Sequence, residues 1–212
     1  MPTTAEFWDS VAEKYARSPI RDMDSYQYTL GRTRSYLAKT DKVLELGCGS
    51  GSTALLLVEG VGRMTSTDIA PAMIEIARRK AAEAEAGNVR FEAAGILDAP
   101  RDDAPYDAVL AFNLLHLVRD VEGALAHING LLKPGGLFIS KTICRPVAGF
   151  SFQYVLMRLA LPVMRALGKA PFVAFRSIAD WEAMITAAGF EIVETGNHPA
   201  QPPSRYIVAR KR

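Results

Sequence analysis

From Asp41 onward, short apolar runs alternate with longer stretches in which apolar residues recur every three or four positions. The short runs fit buried strands and the longer ones amphipathic helices. Lys42-Val-Leu-Glu-Leu46 predicts a first strand, and Ser52 to Glu59 a helix before Gly60. A second strand is expected at Arg63–Thr67, closed by Asp68. Pro71 then suits the first position of a helix reaching Ala86, with Gly87-Asn88 as its stop. Further strands are expected at Val89–Ala93, Asp107–Phe112 and Leu137–Lys141. The last two are separated by a helix over Asp120–Leu132, which a Lys133-Pro-Gly-Gly136 turn ends. A helix at Ile178–Ala188, stopped by Gly189, and two late strands, Glu191–Thr195 and Tyr206–Ala209, complete the pattern.

Alternation of this kind implies βαβ units, and so an α/β fold with a parallel sheet and helices on both faces. Ligands of such sheets bind beyond the carboxyl ends of the strands, where strand order reverses. The residues just after each strand are therefore where chemistry is expected. Two segments stand outside the alternation: residues 1–40, helical and carrying Tyr15, Tyr26, Tyr28 and Tyr36, and residues 145–176, apolar with scattered arginines. One domain is expected over 1–212, made of a helical cap (1–40), a ligand-binding core (41–144), a lid or interface insertion (145–176) and a closing helix with strands (177–212).

Composition narrows the function classes. The 212 residues are 49% hydrophobic and 23% charged, the profile of one globular domain. With 25 basic and 23 acidic side chains the net charge is only +2, which argues against a general binder of nucleic acid. Cys48 and Cys144 are too few for a disulfide framework, and His127 and His198 have no metal-ligand spacing, so no metal is expected. The longest apolar region, Phe150 to Leu167, is interrupted by Arg158, Pro162 and Arg165, and so does not read as a membrane span. Nothing near Met1 has the order of a signal peptide; a cytoplasmic location is expected.

The most informative stretch is Val43-Leu-Glu-Leu-Gly-Cys-Gly-Ser-Gly51. Gly47 turns the chain sharply after a buried strand, and Gly49 and Gly51 let the backbone pass close to a ligand with no Cβ in the way. Asp68, at the end of the second strand, is placed to accept hydrogen bonds from a ribose diol. Nicotinamide and flavin sites share this layout, but their G-x-G-x-x-G fingerprint puts its third small residue where Ser52 stands, and here the third glycine comes one residue early. Glu45, just before the loop, repels a pyrophosphate and attracts an ammonium.

At these residues the chain resembles the class I S-adenosylmethionine-dependent methyltransferases, small-molecule type, whose first motif reads E-x-G-x-G-x-G. The resemblance covers roughly residues 5–210 and extends to methyltransferases of ubiquinone and menaquinone. Phe7-Trp8-Asp-Ser-Val-Ala-Glu-Lys-Tyr15 is similar to their N-terminal helix, in which a tyrosine reaches toward the cofactor. Asp68-Ile-Ala-Pro-Ala-Met73 is similar to the second motif, which implies that Asp68 holds the ribose and that Ile69 and Met73 border the adenine. Tyr106 to His116 looks like the fourth strand and its outlet, implying that Phe112 and Asn113 line the methionine part. Leu131-Leu-Lys-Pro-Gly-Gly136 and Gly189-Phe190-Glu-Ile-Val match the approaches to the fifth and sixth strands. What this implies is a Rossmann-like sheet of seven mostly parallel strands, the last antiparallel, with an N-terminal helical arm and a helical insertion after strand five. S-Adenosylmethionine is the implied cofactor and S-adenosylhomocysteine its product.

One departure matters. Where the family usually has an acid for the adenine amino group, Ala94-Gly95-Ile96 leaves Gly95, and Asp98 comes three residues later. Gly95, Ile96 and Leu97 are therefore expected at the adenine through backbone and apolar contact, and Cys48 as a small loop residue without thiol chemistry. Methyl transfer needs positioning in a dry pocket, and a base only if the nucleophile carries a proton. His116 is the candidate base and Tyr15 a candidate contact, set against a backbone-bonded histidine and a packing tyrosine. The expected partner is a small apolar or aromatic acceptor. Residues 145–176 (Phe150, Phe152, Tyr154, Val155, Leu156, Met157, Leu159, Leu161, Val163, Met164 and Leu167, with Pro162 as a kink) read as a nearly all-round apolar helix. Lid, ordinary packing or dimerisation, and peripheral membrane contact through the arginines all stay open for it, as do monomer and homodimer. Two competing readings remain: a nicotinamide-dependent oxidoreductase, and a non-catalytic S-adenosylmethionine-binding subunit.

Overall fold

A computed structural model describes residues 3–101, 104–146 and 152–212, with all their side chains except those of 152–155, 157 and 158. The expectations for Phe150, and for the side chains of Phe152, Tyr154, Val155, Met157 and Arg158, lie outside the described residues. The sheet is built from β1 (Lys42–Leu46), β2 (Arg63–Asp68), β3 (Val89–Ala93), β4 (Tyr106–Phe112), β5 (Leu132–Ile143), β6 (Phe190–Asn197) and β7 (Ser204–Lys211). Their order across the sheet is β3-β2-β1-β4-β5-β7-β6. β1 to β5 pair in parallel, while β7 runs antiparallel to both β5 and β6, between which it is wedged. This is the Rossmann-like sheet that the resemblance implied.

The central strands β1 and β4 are buried along almost their whole length because both faces are covered. Val43 and Leu110 pack with Leu57, Met64 and Ile74 on one side, beneath α3 (Ser52–Leu57) and α4 (Pro71–Glu83). Leu44, Leu46 and Val109 pack on the other with Leu125, Ile128 and Trp181, from α5 (Val121–Leu131) and α7 (Ile178–Ala187). Strand order reverses between β1 and β4, and a ligand crevice is expected beyond their carboxyl ends.

Residues before Asp41 form α1 (Thr4–Arg17) and α2 (Met23–Tyr36). Thr3 and Glu6 make a reciprocal capping box that starts α1. α1 lies on α4, where Ala12 joins Met73 and Ile76 in a small core. Ala70, which precedes α4, has no side chain to cap it; Asp9 of α1 does so instead, accepting from the Ala72 N–H at 2.8 Å. α2 is tied to the sheet by Glu194, which accepts from Arg32 and from the Tyr36 hydroxyl.

Three boundaries differ from expectation. α4 ends before Gly87 because Glu85 turns left-handed (φ 51°), and Ala86 and Glu85 donate back to Ala81 and Ala82 in a Schellman closure. Lys133 to Gly136 is a bulge within β5, where Tyr106 pairs with Leu132 but Ala108 with Leu137. Asp107 holds it by accepting from Lys133 Nζ at 2.6 Å and from the Lys42 N–H at 2.9 Å. The third is α6 (Phe152–Ala166), which has Pro162 within it and ends before Leu167; among its described side chains Leu156, Leu159, Val163 and Met164 are exposed, as is Leu167 after it. No helix among the described residues is long and apolar enough to cross a membrane.

Candidate active site

Beyond the ends of β1, β2 and β4 lies a cavity of about 410 Å³, within the usual range for small-molecule sites. The glycine loop forms its floor. Gly47, Gly49 and Gly51 all have left-handed φ (66°, 53° and 75°), which an L side chain rarely adopts. Two of them also lack room for one: a Cβ on Gly47 meets Leu114 at 2.7 Å, and one on Gly51 meets Ala77 at 2.7 Å. Gly47 and Gly49 line the cavity. Gly51 lies behind it, where α3 starts against α4 and β3.

Asp68 organises this end. Its two carboxylate oxygens accept from the Gly49 and Ala70 N–H groups, each at 2.9 Å, while its carbonyl accepts from Ala94. One carboxylate thus fixes the loop after β1, the start of α4 and the outlet of β3. Burial raises its pKa, and the N–H bonds work against that rise. Each oxygen still has a free lone pair for a diol. Glu45 lies beneath the loop, buried, with Ser66 Oγ donating at 3.2 Å. Burial pushes it up to about 7, and nearby Asp68 adds to the rise. Glu45, Cys48 and Gly51 are not among the lining residues. The Cys48 thiol is held well above its ordinary range by burial, then by Glu45 and Asp68, so no thiolate forms there.

The walls are mostly apolar: Ile69, Met73, Ile96, Leu97, Phe112 and Leu117 all face the cavity. Asn113 lines it with a left-handed φ of 54°, held by its N–H to the Lys141 carbonyl at 2.7 Å. Asn tolerates that conformation better than most residues. From the N-terminal arm, Thr4, Trp8 and Tyr15 close over the floor. Tyr15 is half exposed, stacks edge-on against Trp8 (5.9 Å), and approaches Gly49 so closely that a Cβ there meets its ring at 3.5 Å. Desolvation raises its phenol pKa, and Asp68 raises it further.

His116 does not reach the cavity. It is buried in the 3-10 turn Leu115–Leu117, its Nδ1 lacks a partner among the described residues, and its carbonyl accepts from Ala174. Burial lowers it to about 4, so at neutral pH it is an uncharged and weak base. No other histidine, and no lysine, lines the cavity among the described residues. Sequence reasoning also missed four polar lining residues: Thr4, Asp98, Arg119 and Asp120. Asp98 curls back over the vacant side of Gly95, its Oδ2 only 3.2 Å from where a Gly95 Cβ would stand. Its reach was hidden because a three-residue offset says nothing about a turn, and the Asp98 N–H closes one onto the Gly95 carbonyl.

The donor set fits the implied cofactor. It offers a bidentate carboxylate for a diol and left-handed glycines where a ligand passes, with a buried acid, Glu45, beneath the loop.

A family model described as a methyltransferase domain matches residues 43–136, which run from β1 through the cavity-forming loops into the bulge of β5. The chain is 34% identical over 145 residues to the ubiquinone biosynthesis O-methyltransferase of Methylocella silvestris, covering 68% of this chain but only 52% of that protein. It is 34% identical over 166 residues to the demethylmenaquinone methyltransferase of Thermus thermophilus, covering 71% of this chain and 74% of that one. The fold is shared with magnesium protoporphyrin IX methyltransferase of Synechocystis, solved with S-adenosylhomocysteine, at a TM-score of 0.73, 17% identity and 98% coverage of both chains. With the glycine loop, Asp68 and the sheet order already in place, these likenesses settle the family: the chain belongs to the class I S-adenosylmethionine-dependent methyltransferases.

Proposed function

We propose that the chain binds S-adenosylmethionine across the glycine loop and directs its methyl group to a small apolar or aromatic acceptor. The observation that carries this reading is the cavity itself, with hydrogen-bonding groups concentrated at the Asp68 end and apolar side chains elsewhere. Asp68 takes the ribose hydroxyls and Glu45 favours the ammonium end, while Ile69, Ile96 and Leu97 border the adenine. Asp98 supplies the acceptor for the adenine amino group that Gly95 lacks. Phe112, Asn113 and Leu114 face the methionine part and the acceptor. The two relatives named for ubiquinone biosynthesis and for demethylmenaquinone support an aromatic acceptor.

When bound, the cofactor supplies an electrophilic methyl group on a sulfonium. The chain's own contribution is to orient and to dry. Trp8 and Tyr15 shield the floor, the apolar walls exclude water, and a positioned nucleophile gains effective concentration without further chemistry from the protein. A cavity without a histidine or lysine suits an acceptor that is nucleophilic as bound. Arg165 and Phe172, with Arg119, border the acceptor side through the smaller cavity that adjoins it. The test is calorimetry with S-adenosylhomocysteine, followed by product analysis with S-adenosylmethionine and a panel of phenols, quinols, amines and carboxylates. Micromolar binding and one methylated product are expected; no binding ends the reading, and binding without any product leaves a cofactor-binding subunit.

A further inference from the structure

Arg119, between the 3-10 turn and α5, and Arg165, in the last turn of α6, converge on one aromatic ring. Their guanidinium carbons stand 4.8 and 5.2 Å from the centroid of Phe172. The two charges are therefore no farther apart than about one Debye length at 0.1 M salt (~10 Å), and they repel. Among the described residues neither has an ion pair with a carboxylate. Asp120, next to Arg119 in the chain, caps α5 instead, its Oδ1 accepting from the Gly123 N–H at 2.9 Å. Stacking on a ring contributes only about 0.5–1 kcal/mol per cation at an exposed site, too little to explain why two cations share one.

A second cavity of about 120 Å³ opens between them, lined by Thr3, Thr4, Phe7, Arg119, Arg165 and Phe172 among others. Thr4 and Arg119 line this cavity and the main one, so the two adjoin. A molecule with its apolar body in the main cavity reaches this one at its edge. Two guanidinium forks beside a ring suit a planar anion, since each fork matches a carboxylate with two parallel N–H bonds.

We propose that this second cavity binds a carboxylate carried by the methyl acceptor, with Arg119 and Arg165 as its ligands. The proposal rests on the reading that the main cavity holds cofactor and acceptor, and it narrows the acceptor to an apolar or aromatic acid. The carboxylate is a handle, not the methylated atom. α6 thereby contributes to recognition through Arg165 while its exposed apolar side chains stay outside.

The full chain is first titrated with S-adenosylhomocysteine, which tests the cofactor reading alone. The saturated protein is then titrated by calorimetry with 4-hydroxybenzoate and with 4-hydroxybenzamide, which share ring and hydroxyl and differ in charge. At least tenfold tighter binding of the benzoate is expected, with Arg165→Met and Arg119→Met each bringing it to within threefold of the amide. Arg165→Lys, which keeps the charge but not the fork, falls between. Unfolding midpoints check that the variants fold, and Arg165→Gln serves if Arg165→Met does not. Equal binding of acid and amide overturns the proposal, as does a failure of both to bind a protein that takes S-adenosylhomocysteine. So does inorganic phosphate binding with the same Arg165 dependence while the benzoate fails to displace it.

Discussion

At the glycine-loop end of the cavity, backbone and side chains satisfy each other closely: Asp68 alone joins three loops, and a Cβ at Gly51 runs into Ala77 and Phe91. At the other end, α6 leaves four large apolar side chains in solvent and Leu167 follows just after it, Leu159 being 71% exposed, and the helix reaches the second cavity through Arg165 on Phe172. The first region is over-determined and the second under-determined. A ligand common to a whole family can be met by fixed geometry, whereas an exposed helix outside the sheet is freer to change without unsettling the core.

Substitutions break this comparison in a graded way. Gly51→Val introduces a left-handed β-branched residue and an overlap with Ala77 and Phe91. A loss of roughly 2–5 kcal/mol in urea unfolding is expected, together with loss of S-adenosylhomocysteine binding. Glu45→Gln reads out the buried acid through pH. Its folded pKa, about 7, lies above the 4.5 of an ordinary glutamate, so the folded state holds more protons between those values. Its contribution to stability is complete below about pH 4.5 and is lost as pH rises through 7, on the order of 3 kcal/mol in all. His116, lowered to about 4, tilts stability the other way between pH 4 and 6.5, so the difference between wild type and Glu45→Gln isolates the carboxylate. The variant is expected to lose the fall in stability toward pH 7.

Asp68→Ala is expected to weaken S-adenosylhomocysteine binding at least tenfold by calorimetry, about 1.4 kcal/mol, and Asp68→Asn by less. Asp98→Ala, which removes one acceptor at an exposed edge, is expected to cost about three- to tenfold in the same titration with no change in unfolding midpoint. The smallest effect belongs to α6. Leu159→Gln is expected to shift stability by no more than about 0.5 kcal/mol, because nothing is lost from the core. A large loss there shows that α6 is packed in solution and removes the contrast.

What could be read from the sequence follows the same divide. Gly47, Gly49 and Asp68 announce themselves because backbone geometry and a ribose diol admit few residue types. The central strands β1 and β4 were visible because burial on both sides makes them nearly continuously apolar. Arg119, Thr4 and Asp98 were not visible, since what places them is the meeting of α1, the outlet of β4 and the turn after β3 in space. His116 has the right residue type after the right strand, yet the 3-10 turn carries it into the interior. α6 reads as apolar in the sequence, but composition does not say which side a neighbour covers. The Pro-Gly-Gly of β5 is turn chemistry, but pairing on both sides of it keeps it inside the strand.

The position of β7 bears on how the chain assembles in time. β6 pairs with β7 alone, and β5 meets β7 on the side away from β4. As residues emerge from the ribosome, β6 has no neighbour until Ser204–Lys211 are made, and the edge of β5 stands open for the same interval. The sheet's last strand in chain order is the one that lets two earlier strands close, so the crevice between β1 and β4 can form before the sheet beyond β5 is complete.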